Sequence, residues 1–234
     1  MIRIGSNVVS YLTENYMVFY TFSDKQSQLP IGTMYCIGRN YAAHAREMGA
    51  EVSVDAPLVF IKPPSAYVPH EGTVMIPSFS QNLHHEVELV VVIGKDGDSI
   101  PEQEARDYIA GYAVGVDLTL RDIQTKAKQK GEPWSTAKSF RGSAPISAVV
   151  PPEALDDANA ELLLYVNDEL RQKGNTQQME RNVPSLIAYI SSVFGVRRGD
   201  CIFTGTPEGV AQITPHSHVK AIVNSEIVLE FTVV

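Results

Sequence analysis

The sequence predicts an α+β, strand-dominated fold, on three observations. Turn signals built from Gly and Pro are spread evenly along the chain: "LPIG", "KPPS", "HEG", "KDGD", "VPPE", "RRGD" and "TGTPEG". Short apolar runs of strand length outnumber helix-periodic segments and follow no regular βα alternation. No GxGxxG or GxxxxGK[ST] phosphate loop accompanies them, which removes the doubly wound nucleotide folds from consideration. The 234 residues, 44% hydrophobic and 20% charged, suffice for one well-packed core.

Taken in order, "MIRIGSNVVSYLTENY" carries no structural signal, and Met17 could itself be a start, which would make residues 1–16 dispensable. "TMYCIG" (33–38) reads as a strand. "NYAAHAREMG" reads as a short helix with Asn40 as N-cap and Gly49 as its stop. "APLVFIKPP", "TVMIPS" and "HEVELVVVIG" are strands. "SIPEQEARDYIAG" is a helix with Pro101 in its first turn and Gly111 after it, and "YAVGVD" returns to strand. "LTLRDIQTKAKQKG" has helical character, and "ELLLYVNDELRQKG" is a hairpin turning at Asn167 and Asp168. "VPSLIAYISSVFG" forms a helix with apolar residues at 186, 187, 190, 193 and 194, before the strand "DCIFTG" and a strand-rich tail.

Charge and composition exclude several classes of partner. The balance of 19 basic and 27 acidic residues, net −8, argues against nucleic acid or an anionic membrane surface, because the phosphate interaction would be repulsive. No apolar run reaches membrane-span length, and the N-terminus has no signal-peptide pattern, so a cytoplasmic protein is expected. Cys36 and Cys201 lie in apolar runs without a second cysteine at ligand spacing, which points to packing rather than zinc or redox work.

"NLHHEVELVVVIGKDGD" (82–98) poses a physical problem. Residues two apart on a strand share a face, so Glu86 and Glu88 point the same way. If the strand is a solvent-facing edge, both carboxylates are simply hydrated. The continuation "VVVIG" is apolar on both faces and hence suggests a central strand, and a second apolar strand, "YAVGVD", ends in Asp117. Three carboxylates without thiolate suit Mg²⁺ or Mn²⁺, with Ca²⁺ the weaker candidate. His84 and His85 form no HExxH pattern and stay outside this ligand set.

Together, "YCIGRNYAAHAREMG", "VFIKPPSA", "HHEVELVVVIGK", "GYAVGVDLTLRDIQ", "PWSTAKSF", "VNDELRQKGNTQQM" and "GDCIFTGTPEGV" resemble, in order and spacing, the fumarylacetoacetate hydrolase family. The likeness is nearest to its small single-domain acylpyruvate hydrolases and oxaloacetate decarboxylases. It implies a mixed β-sandwich roll over residues 31–234, with residues 1–30 an extension that packs on or precedes the catalytic domain. It also implies a homodimer, and a Mg²⁺ or Mn²⁺ on Glu86, Glu88 and Asp117. By the same matching, His44 and Glu47 form an acid–base dyad and Lys138 is catalytic, while Arg39, Arg121, Gln124 and Thr206 meet a small anionic 2-oxo acid.

The implied reaction is hydrolysis of the C–C bond of acylpyruvates (2,4-dioxo acids) such as acetylpyruvate or fumarylpyruvate, giving pyruvate and a carboxylic acid. Oxaloacetate decarboxylation could share the site. A fold of this kind does not name its reaction. Isomerase, tautomerase or hydratase chemistry on a related 2-oxo acid stays open, as does a non-catalytic metal-binding β-domain.

Overall fold

The computed structural model describes residues 18–52 and 55–234. The reading of Met17 as a start, with residues 1–16 dispensable, lies outside the described residues. The strands in chain order are β1 (Met34–Gly38), β2 (Leu58–Lys62), β3 (Tyr67–Val68), β4 (Gly72–Val74), β5 (Leu83–His84), β6 (Val87–Ile93), β7 (Ile109–Val116) and β8 (Thr119–Leu120). They continue as β9 (Ala144–Pro145), β10 (Glu161–Val166), β11 (Glu169–Asn175), β12 (Cys201–Phe203), β13 (Gln212–Ile213), β14 (His218–Val223) and β15 (Ile227–Val233). The helices are α1 (Ala42–Glu47), α2 (Arg121–Lys130), α3 (Ser135–Lys138) and α4 (Val183–Phe194).

Two five-stranded sheets carry the fold, one in the order β2-β1-β12-β6-β7 and the other β11-β10-β14-β15-β4, beside the small sheets β13-β5-β8 and β3-β9. β6 is central, paired antiparallel with both β12 and β7. This is why "VVVIG" is apolar on both faces. Val87, Leu89, Val91 and Ile93 join the large core, shared with Leu162 and Leu164 of β10 and Leu229 and Phe231 of β15. Val90 and Val92, on the other face, join a smaller core with Met34, Cys36, Ala113, Cys201 and Phe203. Burying a side chain of this size contributes roughly 1.5–3 kcal/mol, so the alternation of β6 builds both cores at once.

Residues 18–30 pack on the smaller core. Tyr20 and Leu29 are buried, the Tyr20 hydroxyl donates to the Gly199 carbonyl at 3.1 Å, and Phe22 bridges to Val149.

Several local expectations change. Asn40 is not the cap of α1; Tyr41 precedes that helix, and no side chain caps it. Asn40 instead donates to the Thr204 and Arg181 carbonyls at 2.8 and 2.9 Å, a tertiary use of the amide that outcompetes capping. Residues Glu102–Tyr108 form a 3-10 rather than an α-helix, with Pro101 just before it. Gly111 lies inside β7 instead of stopping that helix, and a Cβ there would come within 2.2 Å of the Val150 carbonyl oxygen. Helix α2 begins only at Arg121, because Thr119 and Leu120 pair with β5. "TVMIPS" is strand only as far as Val74, and Met75 is exposed.

The hairpin turn falls at Asn167 and Asp168, both at positive φ (51° and 65°), the backbone that a two-residue turn between twisted strands requires. In α4, Leu186, Ile187 and Ile190 are buried, but Val193 and Phe194 are exposed because the last turn runs past the edge of the core.

Candidate metal centre and active site

The register of β6 against β7 assembles the carboxylates. Glu88 lies opposite Gly115, and the Asp117 N–H donates to the Glu86 carbonyl at 2.8 Å. Gly115 leaves room for the packing beside them: a Cβ there would stand 2.6 Å from the Phe203 ring and 2.7 Å from Val90. Glu86, just before β6, Glu88 and Asp117 are all buried, and one carboxylate oxygen from each lies within 4.8 Å of the others.

Three cations converge on this cluster. Lys138 Nζ donates to Glu86 Oε2 at 2.7 Å and to Asp117 Oδ2 at 2.5 Å. Arg121 Nη2 donates to Glu86 Oε1 at 2.5 Å, and its Nη1 to Gln124 Oε1 at 2.7 Å. Lys62 Nζ, fully buried at the end of β2, lies 2.9 Å from Asp117 Oδ1, in ion-pair range but outside hydrogen-bond alignment. It donates to Ser143 Oγ at 2.9 Å and to the Lys138 carbonyl.

These neighbours set opposite protonation tendencies within the triad. Burial alone would raise the Glu86 pKa, but Lys138 and then Arg121 hold it well below the usual carboxylate range. Glu88 is pushed well above that range by burial and by repulsion from Asp117 and Glu86, against the stabilising Gly205 N–H. Lys138 loses some basicity to burial, and Asp117 and Glu86 more than restore it, so its pKa rises. The donor set fits a hard divalent cation: three buried carboxylates, no thiolate, and a like-charge repulsion at Glu88 that a bound cation relieves.

The loop after β12 closes the site. Gly205 donates to Glu88 Oε2 at 2.6 Å from a backbone with φ +100°, a conformation that suits glycine. Gln172 of β11 ties the Thr206 side of this loop to the start of β6. Its Nε2 donates to Thr206 Oγ1 and to the Pro207 carbonyl, each at 2.9 Å. Its Oε1 accepts from Val87 N at 3.1 Å and lies 2.8 Å from His85 Nδ1. Opposite, Arg39 follows β1 at φ +61°, a non-glycine residue held in the left-handed region, as strained positions at functional sites often are.

Helix α1 brings His44 and Glu47 to the rim. His44 Nδ1 lies 3.3 Å from Glu47 Oε2, and Glu47 accepts from Gly209 N at 3.1 Å, which fixes the carboxylate between helix and loop. The pocket is lined by Arg39, His44, Glu86, Glu88, Asp117, Arg121, Gln124, Lys138 and Thr206. Glu47 meets it through His44. All ten side chains named from the sequence thus converge on one place.

Sequence reasoning overlooked Lys62, Gln172, Lys128 and Trp134. A lysine closing the apolar run "LVFIK" is a readable signal for burial. Gln172 has none, because its role depends on a hairpin meeting a distant loop. His84 and His85 lie outside the acidic triad: His84 Nδ1 accepts from Arg121 Nε at 3.4 Å, and burial followed by Arg121 lowers its pKa to about 4.

A buried acidic triad at the ends of two neighbouring strands, countered by lysine and arginine and set into a strand-rich α+β roll, is a site able to hold a divalent metal, as in a class of metal-dependent enzymes. The chain belongs to the fumarylacetoacetate hydrolase family; the family profile described as "Fumarylacetoacetate (FAA) hydrolase C-terminal" matches residues 33–233. It is 46% identical over 199 residues to the mitochondrial oxaloacetate tautomerase FAHD1 of Mus musculus, covering 85% of this chain and 90% of that one. Its fold matches fumarylpyruvate hydrolase from Pseudomonas aeruginosa in complex with Mn²⁺ and pyruvate, with TM-score 0.90, 37% identity and coverage of 96% and 98% of the two chains. It also matches 5-carboxymethyl-2-hydroxymuconate delta-isomerase from Mycobacterium smegmatis, with TM-score 0.78, 32% identity and coverage of 88% and 80%.

Proposed function

We propose that the chain is a divalent-metal-dependent enzyme acting on 2-oxo acids, and that its reaction is hydrolysis of the C–C bond of acylpyruvates to pyruvate and a carboxylic acid. One observation carries this: the His44–Glu47 pair opens onto the pocket that holds the acidic triad and its cations. The fumarylpyruvate hydrolase likeness, with Mn²⁺ and pyruvate in that structure, supports it.

Glu86, Glu88 and Asp117 would hold Mg²⁺ or Mn²⁺, with Ca²⁺ a poorer fit, and the bound ion would polarise a 2-oxo carbonyl as a Lewis acid. Glu47 fixes His44 through Nδ1, which leaves Nε2 free to take a proton from water for attack on the distal carbonyl. Arg39, Arg121 and Lys138 offset the substrate's negative charge, and Gln124 and Thr206 add neutral hydrogen-bonding groups.

The 46% identity to an oxaloacetate tautomerase favours a second reading, in which His44 moves a proton between carbon and the enol oxygen. Oxaloacetate decarboxylation would use the same carboxylate-binding groups. The test is a panel of acetylpyruvate, fumarylpyruvate and oxaloacetate with Mg²⁺, Mn²⁺ or chelator, following pyruvate release and enol absorbance separately. Metal-dependent pyruvate release from an acylpyruvate is expected. Enol–keto conversion without release selects the tautomerase, and no turnover of any of the three leaves only a metal-binding domain.

The proposal extends to assembly and compartment. A homodimer is supported by an apolar patch where Ile61 of the edge strand β2 and Phe194 of α4 are exposed beside Trp134. Light scattering on the purified chain tests this. Among the described residues no helix is long and apolar enough to cross a membrane. Two buried free cysteines suit a reducing cytoplasm, although the FAHD1 relative is mitochondrial.

A further inference from the structure

Four cations line the pocket, and they are not equally committed. Arg121 and Lys138 are bound to Glu86 and Asp117. Lys128 and Arg39 line the same pocket, yet among the described residues neither is ion-paired to a carboxylate.

Helix α2 explains where Lys128 stands. Arg121, Gln124 and Lys128 occur at i, i+3 and i+7 and therefore share one helix face. At 1.5 Å per residue, Lys128 is about 10 Å along the axis from Arg121, which carries the face from the metal-binding carboxylates out to the mouth. There the Lys128 ammonium lies 5.1 Å from the centroid of the Trp134 ring, and Trp134 also lines the pocket. The indole holds the ammonium at the opening without neutralising it. Although Lys128 is exposed, partial desolvation beside Trp134, and then the guanidiniums of Arg121 and Arg39, lower its pKa, so the mouth is a place where an anion would relieve repulsion among cations.

We propose that Lys128 is a specificity-determining residue, receiving a second carboxylate at the acyl end of the substrate. The preferred substrates are then dianionic 2-oxo acids rather than acylpyruvates ending in a methyl group. This inference rests on the 2-oxo acid reading of the pocket, and it adds the length and charge of the far end.

The test uses binding, so it does not depend on which reaction follows. 2-Oxohexanoate and 2-oxoadipate have the same six carbons and differ in a terminal methyl against a terminal carboxylate. Each is titrated calorimetrically into the Mn²⁺-loaded wild type, Lys128→Met and Lys128→Arg. The wild type is expected to prefer 2-oxoadipate by about tenfold, equivalent to 1.4 kcal/mol. Lys128→Met brings that ratio to about one, and Lys128→Arg preserves it. A ratio unchanged in Lys128→Met, or absent from the wild type, overturns the role of Lys128 while leaving the 2-oxo acid reading intact. A wild type that binds neither ligand overturns both.

Discussion

The two faces of strand β6 obey the same alternation and serve opposite ends. Leu89 and Val91 on one face lie in the large core among apolar side chains such as Leu162, Leu164, Leu229 and Phe231. Glu86 and Glu88, at the end of the other face, are also buried but lie among Asp117, Lys138 and Arg121. The first face stabilises the fold by removing hydrocarbon from water. The second opposes it, since each buried ion costs several kcal/mol before its partners repay it. A charged face is tolerable at the end of a strand whose remaining residues hold two cores together.

The largest effect separating the faces is expected at Glu88. Its charge is disfavoured without a bound cation, so Glu88→Gln removes a candidate metal ligand and also a repulsion. Mn²⁺ affinity should fall by more than about a hundredfold, beyond the 10–100-fold typical of losing an outer-shell partner. The melting temperature without metal should rise. Calorimetry and thermal unfolding in chelator read the two quantities, and a variant that binds Mn²⁺ normally would remove Glu88 from the ligand set.

Lys62 tests the charged face from behind. Lys62→Met leaves Asp117 buried with one cation fewer, and breaking such a pair costs about 3–5 kcal/mol. Denaturant unfolding should show that loss together with weaker Mn²⁺ binding. Unchanged stability would mean that Lys138 alone suffices for Asp117. The apolar face supplies the counterpart: Leu89→Ala should cost about 2–5 kcal/mol through a cavity, while the folded fraction keeps its Mn²⁺ affinity. Impaired metal binding there would show that the faces are mechanically coupled.

Much of this contrast was legible in the sequence. Period-two spacing put Glu86 and Glu88 together, and a continuous apolar run identified β6 as central. Asp117 was reached because a second apolar strand ends on it. Helix boundaries were less legible where tertiary partners captured the signal residue. Asn40 looks like a cap but clamps the loop after β12, and Gly111 looks like a helix stop but makes room for the Val150 carbonyl. The burial of Lys62 is readable in "LVFIK", but its partner Asp117 is not, and Gln172 carries no local signal at all, because both partners lie far along the chain, at Asp117 and at Thr206. The seven-block family likeness gathered His44, Glu47, Lys138 and Thr206, which no local pattern joins to the glutamates.

The smallest expected effect lies at the join between the faces, on β5. His84 is lowered from its ordinary 6.5 to about 4, by burial first and by Arg121 second. Between those values the unfolded chain takes up a proton at this residue and the folded chain does not. Native stability therefore falls as pH drops from about 6.5 toward 4, because the unfolded state binds more protons. His85, also lowered chiefly by burial, acts in the same direction, so His84→Asn should flatten only part of the slope. Denaturation midpoints measured at intervals from pH 7 to 4 in chelator would resolve it. An unchanged slope in the variant would mean that His84 is protonated in the folded protein despite its guanidinium neighbour, and that the positive charge beside Glu86 is larger than the contacts of Arg121 and Lys138 supply.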